Sequence, residues 1–240
     1  MIQKTTIYRC RTCGSENIVK NGTNRCGNQQ YWCKDCGARR VLEPKRENPV
    51  KKKELSLKIY KERSSMRGVA RVLDISRHTF SRWLVEHIVN LPHFRTSILP
   101  VQADDVLELD ELWSFVGHKG QKRWLWVALC RRTRQVVAYV IGDRSSRTCR
   151  KLWLRIPADY RQCRSYSDFW HAYEQLLCTG KHQIVGKDSG ETAHVERWNC
   201  TLRQRLARYV RKTLSFSKSD KFHHLVTKWF IFDYNLSLTV

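Results

Sequence analysis

Two short cysteine pairs constrain this chain more than any other feature: Cys10-Arg-Thr-Cys13-Gly14 and Cys33-Lys-Asp-Cys36-Gly37. Two residues between thiolates let one tight turn place both sulfurs on a single tetrahedral ion. Two such pairs about 20 residues apart have the spacing of a four-thiolate zinc site. Glycine after each second cysteine permits the positive φ on which such a turn ends. Four thiolates close the coordination shell, so the expected Zn²⁺ is structural. Residues 1–42 are therefore expected to form a zinc ribbon. Cys26, between the pairs, reads as a spare thiol. Cys130, Cys149, Cys163, Cys178 and Cys200 read as small buried hydrophobes.

The charge points to a partner. Lys plus Arg number 45 against 22 Asp plus Glu, a formal charge of +23 on 240 residues. Such an excess predicts a polyanion, of which nucleic acid is the commonest, with a merely soluble basic protein as the bland alternative. Arg9, Arg11, Lys20, Arg25, Lys34, Arg39 and Arg40 surround the cysteine pairs and suit phosphate contacts. A ribbon that binds protein or caps the fold is the plainer alternative. No apolar run approaches the roughly 20 residues of a membrane span, and the opening Met-Ile-Gln-Lys-Thr-Thr lacks a signal-peptide core. The expectation is a cytoplasmic, nucleoid-associated protein with no membrane contact, in a reducing compartment that suits zinc rather than disulfides.

Residues 43–53, with Pro44 and Pro49, read as a basic linker. Residues 54–90 carry helical periodicity, and within them 65–84 have the grammar of a helix-turn-helix. Ser65 can cap a first helix with Val69, Ala70 and Leu73 inward. Asp74-Ile75 makes the turn. Ser76 can cap a second helix with Phe80, Trp83 and Leu84 inward. Arg77, His78, Ser81 and Arg82 would then face outward as donors for phosphates and base edges. An ordinary helical hairpin is the bland alternative.

From residue 104 onward the pattern reads β-β-β-α-β-α-β-α followed by one more helix, with strands expected at 106–115, 123–130, 135–141, 163–167 and 182–186. Helices are expected at 146–154, 169–177, 191–211 and 218–232. The fold class is thus α+β multidomain: a zinc ribbon (1–42), a helix-turn-helix (54–90) and a mixed α/β domain (104–240).

Metal-dependent phosphoryl transfer needs carboxylates gathered at one sheet edge, because hard ions such as Mg²⁺ prefer oxygen ligands. Asp110 lies in an otherwise apolar strand, where a charge is costly unless paired or metal-bound. Glu108, two residues away on the same face, competes for the role. Asp168 ends a strand, where α/β sites gather. Glu196 lies early in a long helix whose Val195, Trp198, Leu202, Leu206 and Tyr209 face the core. Arg203, two turns on, shares its face. Arg197, Arg205 and Arg208 are further phosphate candidates, or a solvated face. His194 either joins a metal site or caps the helix. Trp113 and Trp170 are core by default, with stacking on a flipped base as the alternative.

The stretches Leu109-Asp-Glu-Leu-Trp113, Ser167-Asp-Phe-Trp-His-Ala-Tyr-Glu174 and residues 195–219 resemble transposases of the insertion-sequence-one family of bacterial mobile elements. The order of zinc ribbon, helix-turn-helix and catalytic domain agrees. The resemblance implies a ribonuclease-H-like catalytic domain with an Asp-Asp-Glu triad: Asp110, Asp168 and Glu196, with Arg203 at the basic position seven residues beyond. It implies two Mg²⁺ or Mn²⁺ ions on those acids, binding of terminal inverted repeats, release of a 3′-hydroxyl and its transfer to target DNA. A homo-oligomer is expected when two ends are paired. A repressor that binds the element ends without cutting, and a nuclease of the same fold that cuts without joining, are the rival readings.

Overall fold

In a computed structural model, which describes residues 6–24, 27–43, 49–210 and 212–238, each cysteine pair ends on a left-handed glycine. Gly14 has φ 76° and Gly37 φ 73°. Their N–H groups donate back to Cys10 O at 2.8 Å and Cys33 O at 2.9 Å, closing the two turns. Between and after the turns run β1 (Ile18–Thr23), β2 (Gln29–Cys33) and β3 (Arg39–Val41), an antiparallel sheet in that order. Ile18 lies opposite Cys33. Arg25 and Cys26 fall outside the described residues.

The chain divides into two compact units, Met1–Glu54 and Leu55–Val240. Helix α1 (Pro49–Lys61) crosses that division. It starts inside the stretch that the sequence reads as linker. Proline explains the start, because its missing N–H is an orphan at the first helical position anyway.

In the second unit α2 (Met66–Val72) and α3 (Arg77–Val89) follow. Ser65 Oγ accepts from Gly68 N–H, and Ser76 Oγ from Thr79 N–H. Between them Asp74 takes φ 47°. Leu57, Tyr60, Val69, Phe80, Leu84 and Ile88 bury one face of these helices against Val226 and Trp229 of the C-terminal helix α6 (Asp220–Leu236). Residues 55–90 thus close their core on the C-terminal end of the same unit.

The five-stranded sheet has β4 (Val106–Phe115) at its centre, in the order β6-β5-β4-β7-β8. Strands β5 (Lys122–Cys130) and β6 (Val136–Gly142) continue it antiparallel. Strands β7 (Arg164–Ser167) and β8 (His182–Ile184) add on the other side in parallel. Alternation along β4 splits its side chains between two layers. Leu107 and Leu109 pack with Trp126, with Cys149 and Leu152 of α4 (Ser146–Arg155), and with Tyr173 of a 3₁₀ segment, His171–Thr179. Leu112 packs on the opposite side with Leu125, Val127 and Val195, Trp198 and Leu202 of α5 (Ala193–Arg205).

Two expected helices change form. The segment after β7 is 3₁₀ rather than α. Helix α5 ends at Arg205, and Leu206 turns extended before a 3₁₀ turn at Ala207–Tyr209. Leu206 and Tyr209 stay three residues apart and still face inward, so the break leaves the helical pattern intact.

His182 is buried between Ser165 Oγ, 2.9 Å from Nδ1, and Ser167 Oγ, 3.0 Å from Nε2. Burial pushes its pKa down to about 4 from 6.5. Below pH 6.5 the unfolded chain gains a proton that the folded one refuses. The stability linked to His182 is therefore present above that pH and is lost as pH falls toward 4, by about 3 kcal/mol. Unfolding free energies of the protein and of His182→Gln should converge by that amount between pH 7 and pH 4. A constant difference would exclude the mechanism.

Candidate active site

The metal-ligand chemistry of the first unit is compact. The Sγ atoms of Cys10, Cys13, Cys33 and Cys36 all lie within 4.8 Å of one another, with Cys10–Cys36 and Cys13–Cys33 at 3.6 Å. Sulfurs about 2.3 Å from a tetrahedral ion stand roughly 3.8 Å apart, so the quartet fits zinc. The backbone N–H groups of Cys13 and Thr12 hold the Cys10 thiol down to about 6. At Cys13 the N–H of Ser15 works the same way, but the neighbouring thiols and burial carry it up to about 12. A divalent cation would resolve that conflict. Stripping the metal with a chelator should therefore abolish amide-exchange protection across β1–β3 while leaving β4–β6 protected. Retained protection in the ribbon would count against a structural metal.

In the second unit three acids come from three different places. Asp110 is on β4, half-buried. Asp168 follows β7, with Oδ1 accepting from Trp170 N–H at 3.1 Å. Glu196 is exposed in the first turn of α5. Asp110 accepts from Asn199 Nδ2 at 2.6 Å and from Glu111 N–H at 2.8 Å. Its pKa is pushed up to about 7. Burial is the main cause, the charge of Glu111 is next, and the charges of Asp168 and Glu196 add to it. Asp110 thus feels the charges of both other acids. They are not drawn together as the thiols are: among the described residues, the cysteine quartet is the only group of three or more ligands within 4.8 Å. Three carboxylates that raise the pKa of one of their number are a donor set suited to a hard divalent ion.

The neighbouring acids have other tasks. Glu111 points to the opposite layer, where Arg144 Nη2 donates to it at 2.6 Å and Tyr173 Oη at 2.9 Å. Arg144 in turn lies 3.8 Å from the ring centre of Trp170 and 4.5 Å from that of Trp124. Trp170 is covered on that face, and Trp113 packs near Phe115 and Lys122.

Glu108 is fully buried. Its Oε1 accepts from Arg131 Nε at 2.8 Å and pairs with His194 Nδ1 at 2.6 Å. Its Oε2 accepts from the backbone N–H of His194 and Val195 at 2.9 and 3.0 Å. Thr192, at the N-cap of α5, makes no side-chain cap bond, so Glu108 caps that helix from the sheet. His194 is thus a partner of Glu108 at the helix start, and both carboxylate oxygens of Glu108 are engaged within the fold.

Asn199, three residues after Glu196 on the same helix face, escaped the sequence reading. Its spacing from Glu196 was the available signal. Arg203 is half-buried on α5, while Arg197 and Arg205 are exposed. Arg208 lies beyond the helix, and its guanidinium is committed within the fold. It donates to Tyr60 Oη at 2.7 Å, Ser217 Oγ at 3.1 Å and Phe222 O at 3.2 Å. Those bonds tie α1 to α6. On α3, Arg77, His78 and Arg82 are exposed and Ser81 is part-exposed.

Residues 105–235, more than half of the chain, match the family described as IS1 transposase. The chain belongs to the IS1 transposase family. It is 41% identical over 126 residues to the insertion element iso-IS1n protein InsB of Shigella dysenteriae, a match covering 52% of this chain and 93% of that protein. It is 42% identical over 119 residues to the insertion element IS1 protein InsB of Shigella flexneri, covering 50% and 88%. Against the insertion element IS1 4 protein InsB of Escherichia coli (strain K12) the figures are 40% over 137 residues, covering 56% and 80%. The IS1 transposase match contains Asp110, Asp168, Glu196 and Glu108. The cysteine quartet and α2–α3 precede it. No helix among the described residues is long and apolar enough to cross a membrane.

Proposed function

We propose that this chain cuts the ends of its own insertion element and joins them to target DNA, with Asp110, Asp168 and Glu196 as the acids of a two-metal site. The observation that carries the reading is the IS1 transposase match over residues 105–235, which contains Asp110, Asp168 and Glu196. After burial and the charge of Glu111, the charges of Asp168 and Glu196 add to the raised pKa of Asp110. The sheet, three antiparallel strands followed by two parallel ones, supports a ribonuclease-H-like catalytic domain over 104–240. The exposed Arg77, His78 and Arg82 on a capped second helix support a helix-turn-helix over 54–90 that reads terminal inverted repeats. The zinc ribbon, 1–42, adds basic side chains for the backbone of the same duplex.

Two Mg²⁺ or Mn²⁺ ions, which Asp110, Asp168 and Glu196 would hold, would supply activation of the attacking oxygen and stabilisation of the leaving one when bound. The chain's own residues do the rest. Asp110 and Asp168 hold the metal position from the rigid sheet, and Asn199 orients the Asp110 carboxylate. Glu108 fixes the start of α5 and thereby Glu196. Arg203, with Arg197 and Arg205, neutralises phosphate charge along that helix. In the first reaction water adds to the phosphorus at the element end, and the 3′ oxygen leaves carrying a proton. In the second that 3′-hydroxyl attacks a target phosphodiester and displaces its 3′ oxygen. A homo-oligomer brings two ends together.

The test is cleavage and joining of an end-labelled duplex carrying the element's terminal repeat, in Mg²⁺, Mn²⁺ and EDTA. Joined product should require metal and should vanish in Asp168→Asn and Glu196→Gln while binding persists. Repeat-specific binding without cleavage in any metal would instead make the chain a repressor. Cleavage without joining would make it a nuclease.

A further inference from the structure

A groove of about 680 Å³ runs between α2–α3 and the segment joining α5 to α6. Arg63, Arg67, Arg77 and His78 line one side, and Arg205 and Lys218 the other. All six are exposed. No Asp or Glu lines the groove. Among the described residues none of its four exposed arginines forms an ion pair, whereas Arg123, Arg131, Arg132 and Arg144 elsewhere in the unit each hold a carboxylate. Like charges aligned along a concave wall repel one another and focus a positive potential, which a polyanion relieves. Ser64, Ser81 and Ser215 also line it and add neutral hydroxyl donors of the kind that phosphate oxygens accept.

We propose that this groove grips the sugar–phosphate backbone of the duplex end being cut, with Arg63, Arg67 and Lys218 as contacts additional to the outward face of α3. This rests on the reading of the chain as a transposase and locates where the DNA lies. One element links the groove to the acids: Glu196 and Arg205 are nine residues apart on α5, about 14 Å along a helix. Successive phosphates of one strand are about 3.4 Å apart along the duplex axis. With α5 laid along the duplex axis, the gripped phosphates would lie about four nucleotides from the bond that is cut. Helix α5 acts as the ruler between the two.

The experiment uses the full chain and repeat-end duplexes in which single phosphates, one to eight nucleotides from the cut, are replaced by neutral methylphosphonates. Binding is measured in Ca²⁺ and cleavage in Mg²⁺. Neutralising phosphates about three to six nucleotides from the cut should weaken binding several-fold, and this interference should disappear in Arg63→Ala/Arg67→Ala. In that double variant the slope of log affinity against log salt should become shallower by about 1.8, with affinity for repeat and scrambled duplexes falling alike. Arg63→Lys/Arg67→Lys should keep the slope, which separates charge from folding. If the wild type cuts repeat DNA but the slope is unchanged, or interference falls outside that window, the groove assignment is overturned alone. Binding of single strands in preference to duplex overturns it too. If the wild type cuts no repeat DNA in any metal, the transposase reading itself fails.

Discussion

Asp110→Asn should abolish strand cleavage and yet make the metal-free protein more stable at pH 8. Removing one essential catalytic group typically costs at least about a thousandfold in rate, and Asn is a poor ligand for a hard divalent ion. The stability gain follows from the pKa of Asp110, raised to about 7 from 3.8. Between those values the folded chain keeps a proton that the unfolded chain has lost. Stability is therefore fully present below pH 3.8 and declines as pH rises through 7. The full span corresponds to about 4 kcal/mol. Asn carries no charge and escapes that loss. It forfeits one of the two hydrogen bonds from Asn199 and Glu111 N–H, about 1 kcal/mol. The net gain at pH 8 should be about 3 kcal/mol, turning into a loss of about 1 kcal/mol by pH 4, as read from urea unfolding in EDTA. Added Mg²⁺ should reverse the order by stabilising only the wild type. A variant that is inactive but no more stable than wild type at pH 8 would show that Asp110 is not under electrostatic strain.

The sequence made the skeleton of the second unit legible, for identifiable reasons. Alternation along 106–115 marks β4 because one half of its side chains faces α4 and the other α5. The hydroxyl caps at Ser65 and Ser76 mark α2 and α3 because the capping bond is local, three residues long. What stayed hidden depends on distant partners. The end of α5 is invisible because a 3₁₀ turn keeps Leu206 and Tyr209 at helical spacing. The early start of α1 is masked by a proline that helices accept only at their first turn. Arg208 looks like its basic neighbours until Tyr60, far away in sequence, takes its guanidinium. The choice between Glu108 and Asp110 is of the same kind. Both are acids on one face of one apolar strand, and only residues 23 to 89 positions away distinguish them.

Glu108→Ala should have the opposite stability sign from Asp110→Asn, although the two positions share a strand face. Glu108 has zero side-chain exposure and takes four donors: Arg131, His194 Nδ1 and two backbone N–H groups of α5. Removing it takes away one of the two carboxylates that Arg131 holds and leaves the first amides of α5 without the cap that Thr192 does not supply. Breaking a buried pair in this way costs about 3–5 kcal/mol. Glu108→Gln keeps the volume and one acceptor, but turns an N–H₂ toward Arg131 or toward the helix amides, where donor meets donor. About 2–3 kcal/mol should be lost. Arg131 also donates to Glu191 Oε2 at 2.6 Å and to Glu191 O at 2.7 Å, so the disturbance extends to the turn that leads into α5. Glu196 follows Val195 directly. Single-turnover cleavage by Glu108→Gln, measured cold where the variant stays folded, should therefore fall while DNA binding holds. Raising Mg²⁺ should recover part of the rate, because a displaced Glu196 weakens the metal site without removing a ligand. No such recovery is available to Asp110→Asn, which lacks the ligand itself. If Glu108→Gln were instead more stable in the metal-free state and beyond recovery at any Mg²⁺, the two acids would have to exchange roles.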